Sequence, residues 1–124
     1  MKQFIHFLTF FLIVFQLTAQ DSEQIIRLAK LEIDSVQLEN YNAALKIEIE
    51  TSVSIEPGVL TLYAVAEKND PAHITILEIY VNEDAYLSHL ETPHFKIYKN
   101  TTKHMVKSLE LVDMVSVASA MKPE

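Results

Sequence analysis

Two kinds of spacing organise this chain. From Ile25 to Ile33 an apolar run is broken only singly, by Arg27, Lys30 and Glu32, which predicts a strand. At Asp34 the period lengthens. Leu38, Tyr41, Leu45, Ile49 and Val53 recur every three or four residues, which predicts a helix with those side chains inward. Asp34, with Gln37 three residues on, is the candidate cap for that helix. Glu56-Pro57-Gly58 ends the connection, and Val59 to Lys68 is β-branched and aliphatic. Asn69-Asp70-Pro71 is turn-forming, so a hairpin is expected to return as His73–Val81. Alternation along that strand puts Ile74, Ile76, Glu78 and Tyr80 on one face and Thr75, Leu77, Ile79 and Val81 on the other, both apolar enough to be expected buried.

Helical signals follow. Asn82 is a good N-cap and Asp84 suits the positive end of a helix dipole, so a short helix is expected to run to about Leu90. Thr92-Pro93 restarts a helix, with Phe95, Tyr98, Thr102 and Met105 as its inward stripe. Leu109 to Ala118 alternates enough to be the last strand. The order is β-α-β-β-α-β with the second helical region in two pieces, a split βαβ, ferredoxin-like α+β pattern with helices on one face of an antiparallel sheet. The other face needs a cover, and a second copy of the same sheet, making a homodimer, is the simplest one.

Composition then separates the N-terminus from the rest. Of six Phe, five (Phe4, Phe7, Phe10, Phe11 and Phe15) fall in the first fifteen residues, where Lys2 is the only charge. A basic residue, an apolar run from Phe4 to Leu17 and the small residue Ala19 have the layout of a signal peptide over 1–19, with cleavage expected before Gln20. The run is short for a membrane span, which needs ~20 apolar residues, so an uncleaved anchor is the lesser alternative. The mature domain would be 20–124, exported to the periplasm or secreted.

The chain carries a net charge of −7, and losing Lys2 makes it more acidic. Nucleic acid and anionic membrane surfaces are therefore unsuited as partners. With no Cys, a disulfide framework, a zinc ribbon and a thiol nucleophile are excluded. His89 and His94 are five apart across a helix break, which is not the i,i+4 spacing of a helical ligand pair, so no metal site is expected. His73 and His104 read as surface residues.

The stretch from Glu56 to Tyr98 combines Pro57-Gly58 before a strand, Glu78 and Tyr80 two apart on the next strand, and His89-Leu90-Glu91-Thr92-Pro93-His94-Phe95. In this it resembles the antibiotic biosynthesis monooxygenase (ABM) domain family, particularly its quinol monooxygenases. The resemblance implies a dimeric α+β barrel enclosing a small apolar pocket in each subunit. It also implies oxidation of a small phenol or quinol by O2 without flavin, metal or haem. Two departures bear on substrate: Tyr80 stands where relatives often carry Trp, and Lys99 stands near the haem-ligating His of the haem-degrading branch, which also needs a Trp this chain lacks.

Direct reduction of O2 by an ionised hydroquinone requires an apolar cage, a base for the phenolic proton and donors for the oxyanion. His94, set at a helix start by Pro93, is the first candidate base, with the alternative that it bonds a backbone carbonyl. His89 is expected at the edge of the inward face, where it would orient a substrate oxygen or hydrogen-bond the sheet. Glu78, alternating between Ile76 and Tyr80, must be paired or protonated if buried. Tyr63, Tyr80, Phe95 and Tyr98 are candidate pocket residues. A non-catalytic ligand-binding module, and an isomerase using the same His and Glu, are the competing readings.

Overall fold

The computed structural model describes residues 23–124; the signal-peptide expectation for 1–19 lies outside the described residues. Strand β1 (Ile25–Ile33) leads through a single 3₁₀ turn, Ser35–Gln37, into helix α1 (Leu38–Ile55). A hairpin of β2 (Val59–Glu67) and β3 (Asp70–Tyr80) follows, then α2 (Glu83–Leu90), α3 (Pro93–Thr102) and β4 (Val106–Met114). The expected α+β ferredoxin-like order is present, with its second helical region in two pieces. The strands form one antiparallel sheet in the order β2-β3-β1-β4. Among the described residues no helix is long and apolar enough to cross a membrane.

Period-two alternation decides which residues the helices cover. Register pairs Ala29 with Ile76 and Leu31 with Ile74, so these four point to the same face. Together with Ile33, Tyr41, Leu45 and Met105 they form the buried core. The opposite face carries Tyr63 and Val65, which are 64% and 51% exposed. The expectation that both faces of β3 are buried is thus met on one side only: Ile74, Ile76 and Tyr80 are buried, whereas Thr75, Leu77 and Ile79 are half-covered.

Element boundaries differ from the sequence reading for physical reasons, the first two local and the last not. Asp34 caps the 3₁₀ turn, its carboxylate accepting from the Val36 amide at 3.1 Å, and α1 starts four residues later. β3 begins at Asp70 and contains Pro71, because a register shift leaves residues 71–73 without partners on β2, and a proline there forfeits no bond to that strand. β4 runs Val106–Met114 instead of Leu109–Ala118. It is templated by β1, from Ile33 opposite Val106 to Ile26 opposite Met114, and the pairing stops there, one residue from the start of β1.

The helix starts follow their capping residues. Asn82 accepts from the Ala85 amide at 2.9 Å and Thr92 from the Phe95 amide at 3.3 Å, with Pro93 at the first helical position. Gly58, the only glycine, sits where β2 passes α2 and accepts from the Val81 amide at 2.9 Å. A Cβ there would run into the Ala85 methyl and lie 3.3 Å from Val81 Cγ1. Gly58→Ala is therefore expected to cost about 1–3 kcal/mol by overpacking, measured by denaturant unfolding. Adding Ala85→Gly should recover most of the loss; no recovery would place the strain elsewhere.

Candidate active site

Between the covered face of the sheet and the three helices lies a cavity of ≈ 310 Å³. Leu31, Leu45, Ile49, Leu62 and Ile76 supply apolar wall, while Arg27, Glu48, Glu78, Tyr80, Tyr86 and His89 form its polar part. This division follows from strand register. Arg27 pairs with Glu78 as Ala29 pairs with Ile76, so one step of two residues along the same face exchanges an apolar pair for a charged one.

At the polar end, Tyr80 donates to Glu78 Oε1 at 2.6 Å, and its ring packs edge-on against Tyr86 at 5.2 Å between centroids. Arg27 lies over the Tyr86 ring, 4.3 Å from its centroid, and its Nε donates to Asp113 at 3.0 Å. Tyr41 and Tyr98 share a 2.6 Å hydrogen bond between hydroxyls. Phe95 packs against His89 with centroids 4.9 Å apart.

His89, only 2% exposed, has a carboxylate near each ring nitrogen. Nδ1 is 2.8 Å from Glu56 Oε2 and Nε2 is 3.3 Å from Glu48 Oε1. Ser52 donates to Glu48 Oε1 at 2.7 Å, and His94 Nε2 lies 2.7 Å from the same Glu56 oxygen. The inward face of α1 is accordingly part polar: Glu48 and Ser52 are buried beside Tyr41 and Leu45, whereas Val53, expected inward, is 44% exposed. Buried ionisable groups persist only when paired, and this network supplies the pairing.

Environment moves these carboxyls in opposite directions. Burial pushes Glu78 up, and the Tyr80 hydrogen bond and the Arg27 charge offset it only in part. Burial also acts to raise Glu56, but the hydrogen bonds and charges of His89 and His94 outweigh it and hold the carboxyl below its ordinary value. Burial raises the hydroxyls of Tyr41 and Tyr80, and pushes Tyr98 up to about 12, so all three are donors at neutral pH.

The structure brings Glu78, Tyr80, His89, Phe95 and Tyr98 to the cavity wall. It does not bring Tyr63, which alternation turns to the opposite face of the sheet, while its neighbour Leu62 lines the cavity instead. Nor does it bring His94, the first candidate base. That side chain bonds Glu56 instead of a backbone carbonyl and lines a separate small cavity with Ile97 and Thr101. His89, expected at the edge of the inward face, is fully enclosed. Sequence reasoning missed Glu48 and Glu56. The signal for Glu48 was its i+3 spacing from Leu45, which places a charge on the buried stripe; Glu56 gave none, being a polar residue before a proline.

The i,i+4 spacing of a metal-ligand pair applies to a single helix. Tertiary packing of α1, α2 and α3 brings donor atoms of Glu48, His89 and His94 within 4.8 Å of one another, so these three could hold a cation. Their partners here are each other, Ser52 and Glu56.

A family profile described as antibiotic biosynthesis monooxygenase matches residues 24–101. A crystal structure from Bacteriodes thetaiotaomicron VPI-5482 that bears the same family name is 54% identical, with a TM-score of 0.78, over 82% of this chain and 97% of that one. A structure from Lactobacillus acidophilus NCFM named for a monooxygenase is 35% identical, with a TM-score of 0.74. It covers 78% of this chain, which spans only 46% of that protein's length. A third, from Nitrosomonas europaea, is 18% identical with a TM-score of 0.72 and is similar in fold. No curated protein matches the sequence.

The opposed carboxyl shifts make stability depend on pH in opposite senses. Glu78, raised on folding, favours the folded state while protonated, and that advantage is lost as pH rises from the ordinary carboxylate value through the raised one. Glu78→Gln, whose amide oxygen can still accept from Tyr80, should therefore raise Tm near neutral pH and lose that gain in acid. Glu56, lowered on folding, stabilises above the ordinary value and loses this as pH falls through the lowered one. Glu56→Gln should lower Tm near neutral pH, with the difference shrinking in acid. Thermal melts of both variants across pH check the signs.

Proposed function

The chain belongs to the antibiotic biosynthesis monooxygenase family, and from that premise we propose that it oxidises a small electron-rich aromatic, a quinol or phenol, with O2. The observation that carries this reading is an apolar cavity of ≈ 310 Å³ with His89, Glu78 and Tyr80 gathered at its polar part. A cavity of that size suits a ligand of one or two rings.

The chemistry balances without a protein-borne redox group. A hydroquinol and O2 become a hydroxyquinone and water: one oxygen atom ends on the ring, the other in water, and all four electrons come from the substrate. Its first requirement is removal of a hydroxyl proton, since the anion is the better reductant. His89 takes that proton. The raised carboxyl of Glu78 holds the second hydroxyl, and a carboxylate lifted towards neutrality is a stronger base than an exposed one. Tyr98, kept protonated by burial, is the hydroxyl donor available to the developing oxyanion, since the Tyr80 hydroxyl is given to Glu78. Leu45, Ile76 and Phe95 exclude water, which lets these polar groups act at low dielectric.

The exposed outer sheet face, with Tyr63 and Val65 at its edge, supports the homodimer expected from the sequence, and the signal-peptide layout of residues 1–19 supports an exported protein. Sedimentation at micromolar concentration should give a dimer; a stable monomer would remove that part of the reading.

The activity test is O2 uptake by the mature protein with naphthoquinols and benzoquinols, corrected for autoxidation. Enzyme-dependent uptake is expected, with His89→Asn and Glu78→Gln each lowering kcat/KM by ~10²–10⁴-fold. No uptake above the blank from folded protein would reject the monooxygenase reading; turnover persisting without O2 would point to an isomerase, and tight binding without turnover to a carrier.

A further inference from the structure

Glu56 does not line the cavity, yet one of its oxygens is shared by two enclosed histidines, His89 Nδ1 at 2.8 Å and His94 Nε2 at 2.7 Å. The reaction proposed above, on which this inference rests, gives Glu56 no task. We propose that Glu56 is the positioning residue that fixes His89 in the tautomer protonated at Nδ1, leaving Nε2 as the nitrogen that takes the substrate's proton.

Donor and acceptor capacity sets the tautomer. An ionised carboxylate can only accept, so the nitrogen facing Glu56 must carry a hydrogen, and in the neutral imidazole the other nitrogen then holds the lone pair. That other nitrogen is on the cavity side. His89 Nε2 is 3.3 Å from Glu48 Oε1 without a hydrogen bond between them, that oxygen accepting from Ser52 at 2.7 Å instead, and Glu48 lines the cavity where Glu56 does not. In the step itself the substrate O–H bond breaks, an N–H bond forms at Nε2, and the electron pair stays on the substrate oxygen; Glu56 remains ionised throughout and faces the ring on which the positive charge forms.

The surroundings hold Glu56 to this role. It ends α1 with extended backbone, φ −98 and ψ 107, the conformation that a following proline, here Pro57, imposes. His94 donates into the same oxygen from the start of α3, so the carboxylate is gripped from α2 and α3 at once. This gives His94, absent from the cavity wall, a place in the site: it acts through Glu56, and Glu56 acts through His89. A carboxylate that orients a histidine and faces its developing charge recurs in hydrolase triads and around metal-bound imidazoles.

The test has one arm that needs no substrate. In histidine-labelled protein at mildly alkaline pH, nitrogen NMR should show His89 protonated at Nδ1. In Glu56→Gln, whose amide can donate as well as accept, the Nε2-protonated form should appear. In the kinetic arm, Glu56→Gln should lower kcat by ~10²–10⁴-fold, with KM within about twofold. A wild-type His89 protonated at Nε2 would overturn the inference and requires no variant to fold. So would a folded Glu56→Gln protein in which tautomer and kcat are both unchanged. If the wild-type protein turns over no quinol while Glu56→Gln still shifts the tautomer, the proposed reaction fails and the hold of Glu56 on His89 stands.

Discussion

One carboxylate oxygen organises the helical layer of this protein. Glu56 Oε2 lies within hydrogen-bond distance of His89 and His94, and so ties the end of α1 to α2 and to α3. Leaving any of these groups enclosed without its partners would cost several kcal/mol, whereas together they satisfy one another. Ser52 and Glu48 extend the same network one and two turns back along α1. The helices are therefore joined by a polar network that reaches the cavity at His89 and Glu48 and by apolar packing elsewhere, with Tyr41 and Leu45 in one core with Ile33 and Ile74.

The sheet contributes the complementary half. Each strand presents alternate residues to the helices, so cavity composition is set by where apolar pairs give way to charged ones along the same face. Between Ala29 and Arg27 on β1, and between Ile76 and Glu78 on β3, that change occurs in adjacent registered pairs. The result is a pocket graded from hydrocarbon to charge. Such a gradient can hold an aromatic ring by its faces and its hydroxyls by their protons. Because the polar part is desolvated, its electrostatic effects are large: burial leaves the Glu78 carboxyl raised, whereas behind the cavity wall the hydrogen bonds and charges of His89 and His94 outweigh burial at Glu56. Glu78 has lost water with too few donors in return, while Glu56 has gained two.

Much of this was legible in the chain. The change of period at Asp34, the Asn82 cap, the Thr92-Pro93 restart and the turn at Asn69-Asp70-Pro71 located the three helices and the hairpin, because caps and periodicity are properties of a few neighbouring residues. The alternation that put Glu78 and Tyr80 on one face was equally local, and both line the cavity. The errors were of another kind. Tyr63 was credited to the pocket without following its own alternation, which sends it to the far face. The last strand was drawn three residues late because its ends depend on where β1 runs out of partners, a fact about a segment some eighty residues earlier.

What the sequence determined alone was therefore the fold class, the order of its elements and the family motif around His89 and His94, since each rests on interactions between residues close in the chain. The tertiary structure alone decided which histidine meets the cavity. His89 and His94 are nearly equivalent in sequence, yet packing of α2 against the hairpin and of α3 against α1 puts one in the wall and the other behind it. It also decided that Glu56, thirty-three residues before His89, is its partner. Hydrogen bonds between side chains so far apart are written in the relative placement of helices, and that placement is set by the whole core at once, not by any local pattern.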